Sequence, residues 1–259
     1  MKVESSTINQ ILSSLKDYNP TVYALTDAVS KALIPVALVI LATLMYMELA
    51  NTNRMFAQEQ GKMNINLFIL VGLKYFIAFA LVMMSGQIID AIVWLNSAIG
   101  WLIDKTVTTN SSPETVIPEI KGELNFLQKG LIYGMQMIAY FFIWASTIVA
   151  KILVFLRFFT LYIYKGVAPI LLSAYVSDEW KNVATNFIRG FVALIFQGFL
   201  LVLILKLYPA LISNDMFDLV ASGTFVENVL ALFIVIAKSV IFIILLIGSQ
   251  NMVKRWMGV

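Results

Sequence analysis

The chain has 259 residues, 60% of them hydrophobic and 13% charged, with no cysteine, no histidine and a formal net charge of +3. A soluble domain is roughly half apolar and about a quarter charged, so this chain has too little polar surface to enclose one water-facing core, and lipid is the expected solvent for much of it. Without thiols or imidazoles it has no cysteine nucleophile, no disulfide, no Cys/His metal site and no histidine base, and its mild basic excess suits loops facing anionic lipid better than nucleic acid.

Long unbroken apolar runs such as Val226–Ile247 predict helices; a membrane barrel would show short segments of apolar/polar alternation. The expected fold is an all-α integral membrane protein. It is a polytopic helical bundle of five transmembrane crossings, six being the alternative, with short amphipathic helices added. Residues 1–259 read as a single membrane domain.

In chain order, residues 1–20 form an amphipathic N-terminal segment. Ile8, Ile11, Leu12 and Leu15 recur at helical spacing opposite Asn9, Ser13, Ser14 and Lys16. Asn19-Pro20 ends it, and its small apolar face suits a membrane interface or a partner helix. It lacks the apolar core of a cleavable signal peptide, so the first apolar span is expected to act as the insertion signal. That span is Ala28–Leu49, with Pro35 expected to kink it. The second is Leu67–Ile89, its apolar character continuing to the interfacial aromatics Trp94 and Trp101. A polar loop follows over residues 104–129.

The stretch Leu131–Tyr175 as one helix would be about 67 Å long, against a hydrocarbon core of about 30 Å. A break is therefore expected at Gly166 and Pro169, with Arg157 meeting water or headgroups. Next come an amphipathic segment at 177–190, with Trp180, Val183, Ala184, Phe187 and Ile188 on one face, then closing spans at Phe187–Tyr208 and Val226–Gly248. Lys254 and Arg255 in the tail, with Lys181 and Arg189, place the C-terminus on the cytoplasmic side. The loop between the closing spans carries Asp215, Asp218 and Glu227 but no Lys or Arg and falls outside. Five crossings then put the N-terminus outside.

No acidic residue falls at the centre of an expected span; Glu48, Asp90 and Glu227 sit at span ends. That argues against a carboxylate-driven pump and against an intramembrane aspartyl protease. Ser85 and Ser249 read as helix-packing serines. No catalytic residue, metal site or cofactor is expected. The candidate polar and structural residues are others. Lys238, near the middle of the last span, is costly there. It either faces a polar seam, where Gln197 could bond it, or snorkels to headgroups. Lys74, nearer a span end, reads as snorkelling. Lys151, Arg157 and Lys165 read as an interfacial collar for anionic lipid, the alternative being a basic ring around a cytoplasmic opening. Gly130 and Gly134 form a GxxxG helix-approach motif, and Phe155, Phe158, Phe159, Tyr162 and Tyr164 are expected to face lipid or the interface.

Three places carry a family likeness. One is Tyr46-Met47-Glu48-Leu49 leading to Arg54 and Leu67–Lys74. Another is Arg157-Phe158-Phe159 with Tyr162 and Ala168-Pro169-Ile170. The third is Trp180–Ile188 running into Phe191, Gln197, Gly198 and Tyr208-Pro209. In these and in its overall layout the chain resembles the TrbL/VirB-type polytopic channel subunits of type IV secretion and conjugation systems, in their Gram-positive mobile-element form. The resemblance implies a non-enzymatic, oligomeric subunit of the bacterial cytoplasmic membrane. Its implied partners are other secretion-channel subunits, secretion ATPases and membrane lipid, with transient contact to a translocating DNA–relaxase complex or protein. The competing reading is a stand-alone small-molecule transporter or channel, which would more often show repeated halves.

Overall fold

The structure, a computed structural model, describes residues 3–58, 65–106, 117, 120, 125–177, 179–213 and 224–258. Among them every regular element is helical. The order is α1 (Val3–Leu12), α2 (Leu15–Tyr18), α3 (Pro20–Gln58), α4 (Ile65–Met83), α5 (Ser85–Thr106), α6 (Phe126–Ser173), a 3₁₀ turn (Ala174–Val176), α7 (Lys181–Ser213) and α8 (Phe225–Met257). Among the described residues five segments are long and apolar enough to cross a membrane, Pro20–Arg54, Ser85–Thr106, Phe126–Val176, Lys181–Ile212 and Phe225–Met257, and Val71–Met83 is a shorter apolar helix.

The short N-terminal helices end where side chains compete with the backbone. Ser14 caps α2 by accepting from the Asp17 amide at 3.1 Å. Asn19 caps α3 by accepting from the Val22 amide at 3.1 Å, with Pro20 in the first helical position, where its missing N–H costs nothing. From there α3 runs through Pro35 to Gln58.

Two expectations are corrected here. The second span is not one uninterrupted helix over Leu67–Ile89: α4 and α5 meet at Met84. Bonds of helical spacing reach from the Met84 amide to the Ala80 carbonyl, 3.0 Å, and from the Ile88 amide to the Met84 carbonyl, 2.9 Å. The joint precedes Ser85-Gly86, two residues with weak helix preference, and the membrane-length segment lies beyond it on α5. The polar loop shortens correspondingly, since residues 104–106 finish α5 and 126–129 open α6; most of 107–124 lies outside the described residues.

The second correction concerns α6, which does not break at Gly166 or Pro169. It is one helix of 48 residues, and a continuous helix cannot cross twice, so α6 does not supply a second crossing. Pro169 stands in the last turns of the helix, where its missing N–H withdraws one hydrogen bond close to the frayed end. Gly166 lies inside the helix on the face toward α3: a Cβ there would make ordinary contact, 3.7 Å from Thr26 Cγ2 and 3.8 Å from Val29 Cγ1. Residues 181–190 of the expected amphipathic segment and the span after it are likewise one helix, α7. In α7 half of the most apolar window is buried, against 28% in α6, so α7 is the more enclosed of the two.

The chain divides into two compact units. One comprises Met1–Leu12, Asn96–Arg157 and Phe196–Val253; the other comprises Ser13–Leu95, Phe158–Ile195 and Lys254–Val259. In the first, Ile132 and Ala139 of α6 bury against Leu232 and Val235 of α8, flanked by Met135, Ile143, Val229 and Ile236. In the second, Leu41 of α3 packs with Val71, Tyr75 and Ala78 of α4 and with Val176 of the 3₁₀ turn. These sets follow the i, i+3, i+4, i+7 spacing that puts residues on one helix face.

Continuity of α6 makes a direct expectation. Pro169→Ala should leave the unfolding midpoint in detergent unchanged or raised, because it restores a helical N–H. Gly166→Leu should lower stability by about 1–3 kcal/mol through overpacking against Thr26 and Val29. Thermal unfolding followed by helical circular dichroism checks both.

Candidate functional site

A lysine removed from water inside apolar helices must be paired or deprotonated. Lys165 of α6 is 0% exposed, and its Nζ lies 2.6 Å from Asp90 Oδ2 of α5 and 4.0 Å from Asp27 Oδ1 of α3. The same ammonium sits 3.9 Å from the centre of the Tyr23 ring, a favourable cation–π distance. The Tyr23 hydroxyl donates to Asp90 Oδ2 at 2.8 Å. Asp27 also pairs with Lys31 one turn along α3, at 2.8 Å. The lysine chain passes Gly86, one turn before Asp90, at ordinary contact distance: a Cβ there would stand 3.9 Å from Lys165 Cε. One cation thus collects groups from α3 and α5 onto α6.

A second buried charge belongs to the other unit. Arg157 is 2% exposed and donates from Nη1 to the Ile11 carbonyl at 3.1 Å. Ile11 lies in the last turn of α1, where carbonyls have lost their helical partners, so the guanidinium satisfies a helix end. Gly198 of α7 makes the slot: a Cβ there would overlap the guanidinium. The interruption that follows α1 is served by Tyr162, whose hydroxyl donates to the Leu15 carbonyl at 2.6 Å. Tyr18 stacks on Phe158 at 3.9 Å, and burial pushes its phenol above the ordinary value.

A third group joins α3 to α4. Lys74 Nζ reaches Glu48 Oε1 at 3.0 Å and Oε2 at 3.2 Å, and the Tyr75 hydroxyl donates to Oε2 at 2.7 Å. In the first unit Lys206 of α7 pairs with Asp104 of α5 at 2.6 Å.

Of the residues singled out from the sequence, Lys151, Arg157 and Lys165 do not form a collar. Lys151 is exposed, whereas Arg157 and Lys165 are buried in protein. Phe158 and Tyr162 are buried too, while Phe155 and Phe159 are exposed. Lys74 does not simply snorkel; it is ion-paired. Gln197 is buried and Lys238 half-buried, and no hydrogen bond joins them among the described residues. What Lys238 contributes is its backbone carbonyl, which accepts from the Tyr208 hydroxyl. Gly130 and Gly134 face open space. Asp27 and Asp90 were not singled out, because a carboxylate at an expected span end needs no partner. The signal was the lysine: Lys165 in an apolar run required a counter-charge from elsewhere.

No group of three or more acidic residues able to hold a metal ion occurs among the described residues. The arrangement is a set of buried and part-buried charges that pair helices.

The family model for the TrbL/VirB6 plasmid conjugal transfer like protein matches residues 2–169. The chain belongs to the TrbL/VirB6-like conjugal transfer family. In this TrbL/VirB6-like chain the matched region runs from α1 to Pro169 in α6, and it contains Asp27, Glu48, Lys74, Asp90, Arg157 and Lys165. No curated protein and no solved structure matches the chain.

Removing one partner of a buried ion pair strands the other, at about 3–5 kcal/mol. Because the carboxylates here are about a third exposed, Lys165→Met is expected at the low end, about 3 kcal/mol. The double variant Lys165→Met/Asp90→Asn should recover part of that loss. A double-mutant cycle on unfolding free energy measures the coupling.

Proposed function

We propose that this chain, as a single membrane domain, is a channel or scaffold subunit of a type IV secretion apparatus. In that role it forms part of the route by which conjugative DNA or protein crosses the cytoplasmic membrane. The observation that carries the reading is the family match over residues 2–169 on a chain with five membrane-length helices. The role is non-enzymatic: the chain holds charges to fix helices, and energy from ATP enters through partner ATPases. Other channel subunits are the expected neighbours.

The proposed orientation has the N-terminus outside and the C-terminus in the cytoplasm. Exposed Lys181 and Arg189 at the start of α7 and Lys254 and Arg255 in the last turn of α8 support it by the positive-inside rule. The chain has no native cysteine, so single cysteines report sidedness without background. Thr224→Cys should react with a membrane-impermeant maleimide in intact cells and Asn182→Cys only after lysis; the reverse pattern would invert the topology.

The functional test is affinity purification of the tagged chain from its native host after light crosslinking, with transfer frequency measured alongside. Recovery of secretion ATPases and bitopic channel proteins, with transfer falling at least a hundredfold on deletion, is the expected result. A clean homo-oligomer from cells that express those proteins, with transfer intact on deletion, would favour a stand-alone transporter instead.

A further inference from the structure

Among the described residues four lysines are buried or half-buried: Lys74, Lys165, Lys206 and Lys238. Three of them hold a carboxylate, Glu48, Asp90 and Asp104 respectively. Lys238 does not. Its carbonyl accepts from the Tyr208 hydroxyl, but its ammonium makes no hydrogen bond or ion pair among the described residues. It stands in α8, the most apolar of the membrane-length segments. Apolar residues run from Val229 to Ala237 before it and, past Ser239, from Val240 to Ile247 after it. Each arm is about 13 Å long, whereas the five single bonds of a lysine side chain reach about 6 Å. The ammonium therefore stops short of either headgroup layer, at a depth where an unpaired cation is costly.

Lys238 belongs to a seam. Ile234, Lys238, Ile241, Leu245, Gly248 and Met252 stand at i, i+4, i+7, i+11, i+14 and i+18, the alternating spacing by which one helix packs along another. Ile241, Leu245 and Met252 are exposed and the other three half-buried. A Cβ at Gly248 would meet nothing within 4 Å, so a neighbouring backbone has room to come close there. The seam is about 27 Å long, nearly the thickness of a hydrocarbon core of about 30 Å. It matches one crossing helix along its whole length.

Charge chooses among the occupants. Lipid phosphates lie at the membrane surface and do not reach the middle of the seam. A second copy brings no spare carboxylate: in the membrane-length segments Asp27, Glu48, Asp90, Asp104 and Glu227 each already have a partner. We propose that this seam docks a membrane-crossing helix of a different polypeptide, and that an aspartate or glutamate near the middle of that helix pairs with Lys238. The pairing rests on the proposed function, in which the chain is one subunit of a larger membrane assembly. It repeats between chains what Lys74, Lys165 and Lys206 do within one.

The test places p-benzoylphenylalanine at Ile241, an exposed seam residue, and photolyses membranes of the native host. The expected product is an adduct with another polypeptide, its crosslinked peptide lying in a membrane-length apolar segment with an Asp or Glu within two turns. The same probe at Ile247, exposed on α8 but off the seam, should give at least tenfold less of it. Lys238→Leu, a change that suits an apolar span, should cut the Ile241 adduct at least tenfold. Lys238→Arg keeps the cation and should retain the adduct. An adduct with lipid alone or with a second copy overturns the docking, as does an undiminished adduct in Lys238→Leu. Affinity purification of the tagged chain reports the secretion role separately, so a missing Ile241 adduct beside recovered channel proteins strikes the seam alone.

Discussion

A charge buried among apolar helices has to bring its counter-charge with it, and that requirement governs how this chain packs. Apolar stripes attract one another with little preference for register, because lipid tails are as apolar as the side chains they replace. The Lys165–Asp90 pair is different. If α6 slid a turn past α5, Lys165 would lose Asp90 and the Tyr23 ring together and leave an ammonium with no water to receive it. The same reasoning applies to Glu48 with Lys74 between α3 and α4, and to Lys206 with Asp104 between α7 and α5. Each pair joins a different couple of helices. Such pairs contribute little net stability after desolvation; what they fix is which residues face which.

The backbone obeys the same rule. The chain begins with two short helices whose ends leave carbonyls without helical partners. Arg157 and Tyr162, both on α6, supply the missing donors to Ile11 and Leu15. A glycine does complementary work: Gly198 gives space to the Arg157 guanidinium. That buried charge and the bare backbone position opposite it are two halves of one packing solution.

Much of this is legible in the amino-acid sequence, for physical reasons. Long apolar runs force helices, since no other open structure satisfies its backbone in hydrocarbon, and the last span, read as Val226–Gly248, lies wholly within α8. The small amphipathic face of Ile8, Ile11 and Leu15 is buried against protein, one of the two fates its pattern allowed. What could not be read is the third dimension of a long helix. Glycine and proline at 166 and 169 punctuate a chain in most contexts, yet here the one lies inside the helix on a packed face and the other sits too near the end to matter. Arg157 and Lys165 looked interfacial because a lone sequence shows a charge without its partner. Asp90 and Asp27 lie 75 and 138 residues from Lys165 in sequence, so no local pattern could have joined them.

The length of α6 has a consequence of its own. Its 48 residues extend about 72 Å. To confine that rod to a hydrocarbon slab of about 30 Å it would have to lean roughly 65° from the normal, well beyond the 0–40° that membrane helices adopt. Even at the steepest of those tilts, only about 26 residues fit between the headgroups. The remainder is still apolar, and at its first turn Phe126 and Leu127 stand almost bare. A helix so proportioned overhangs its solvent, and the overhang calls for a cover that acyl chains do not reach.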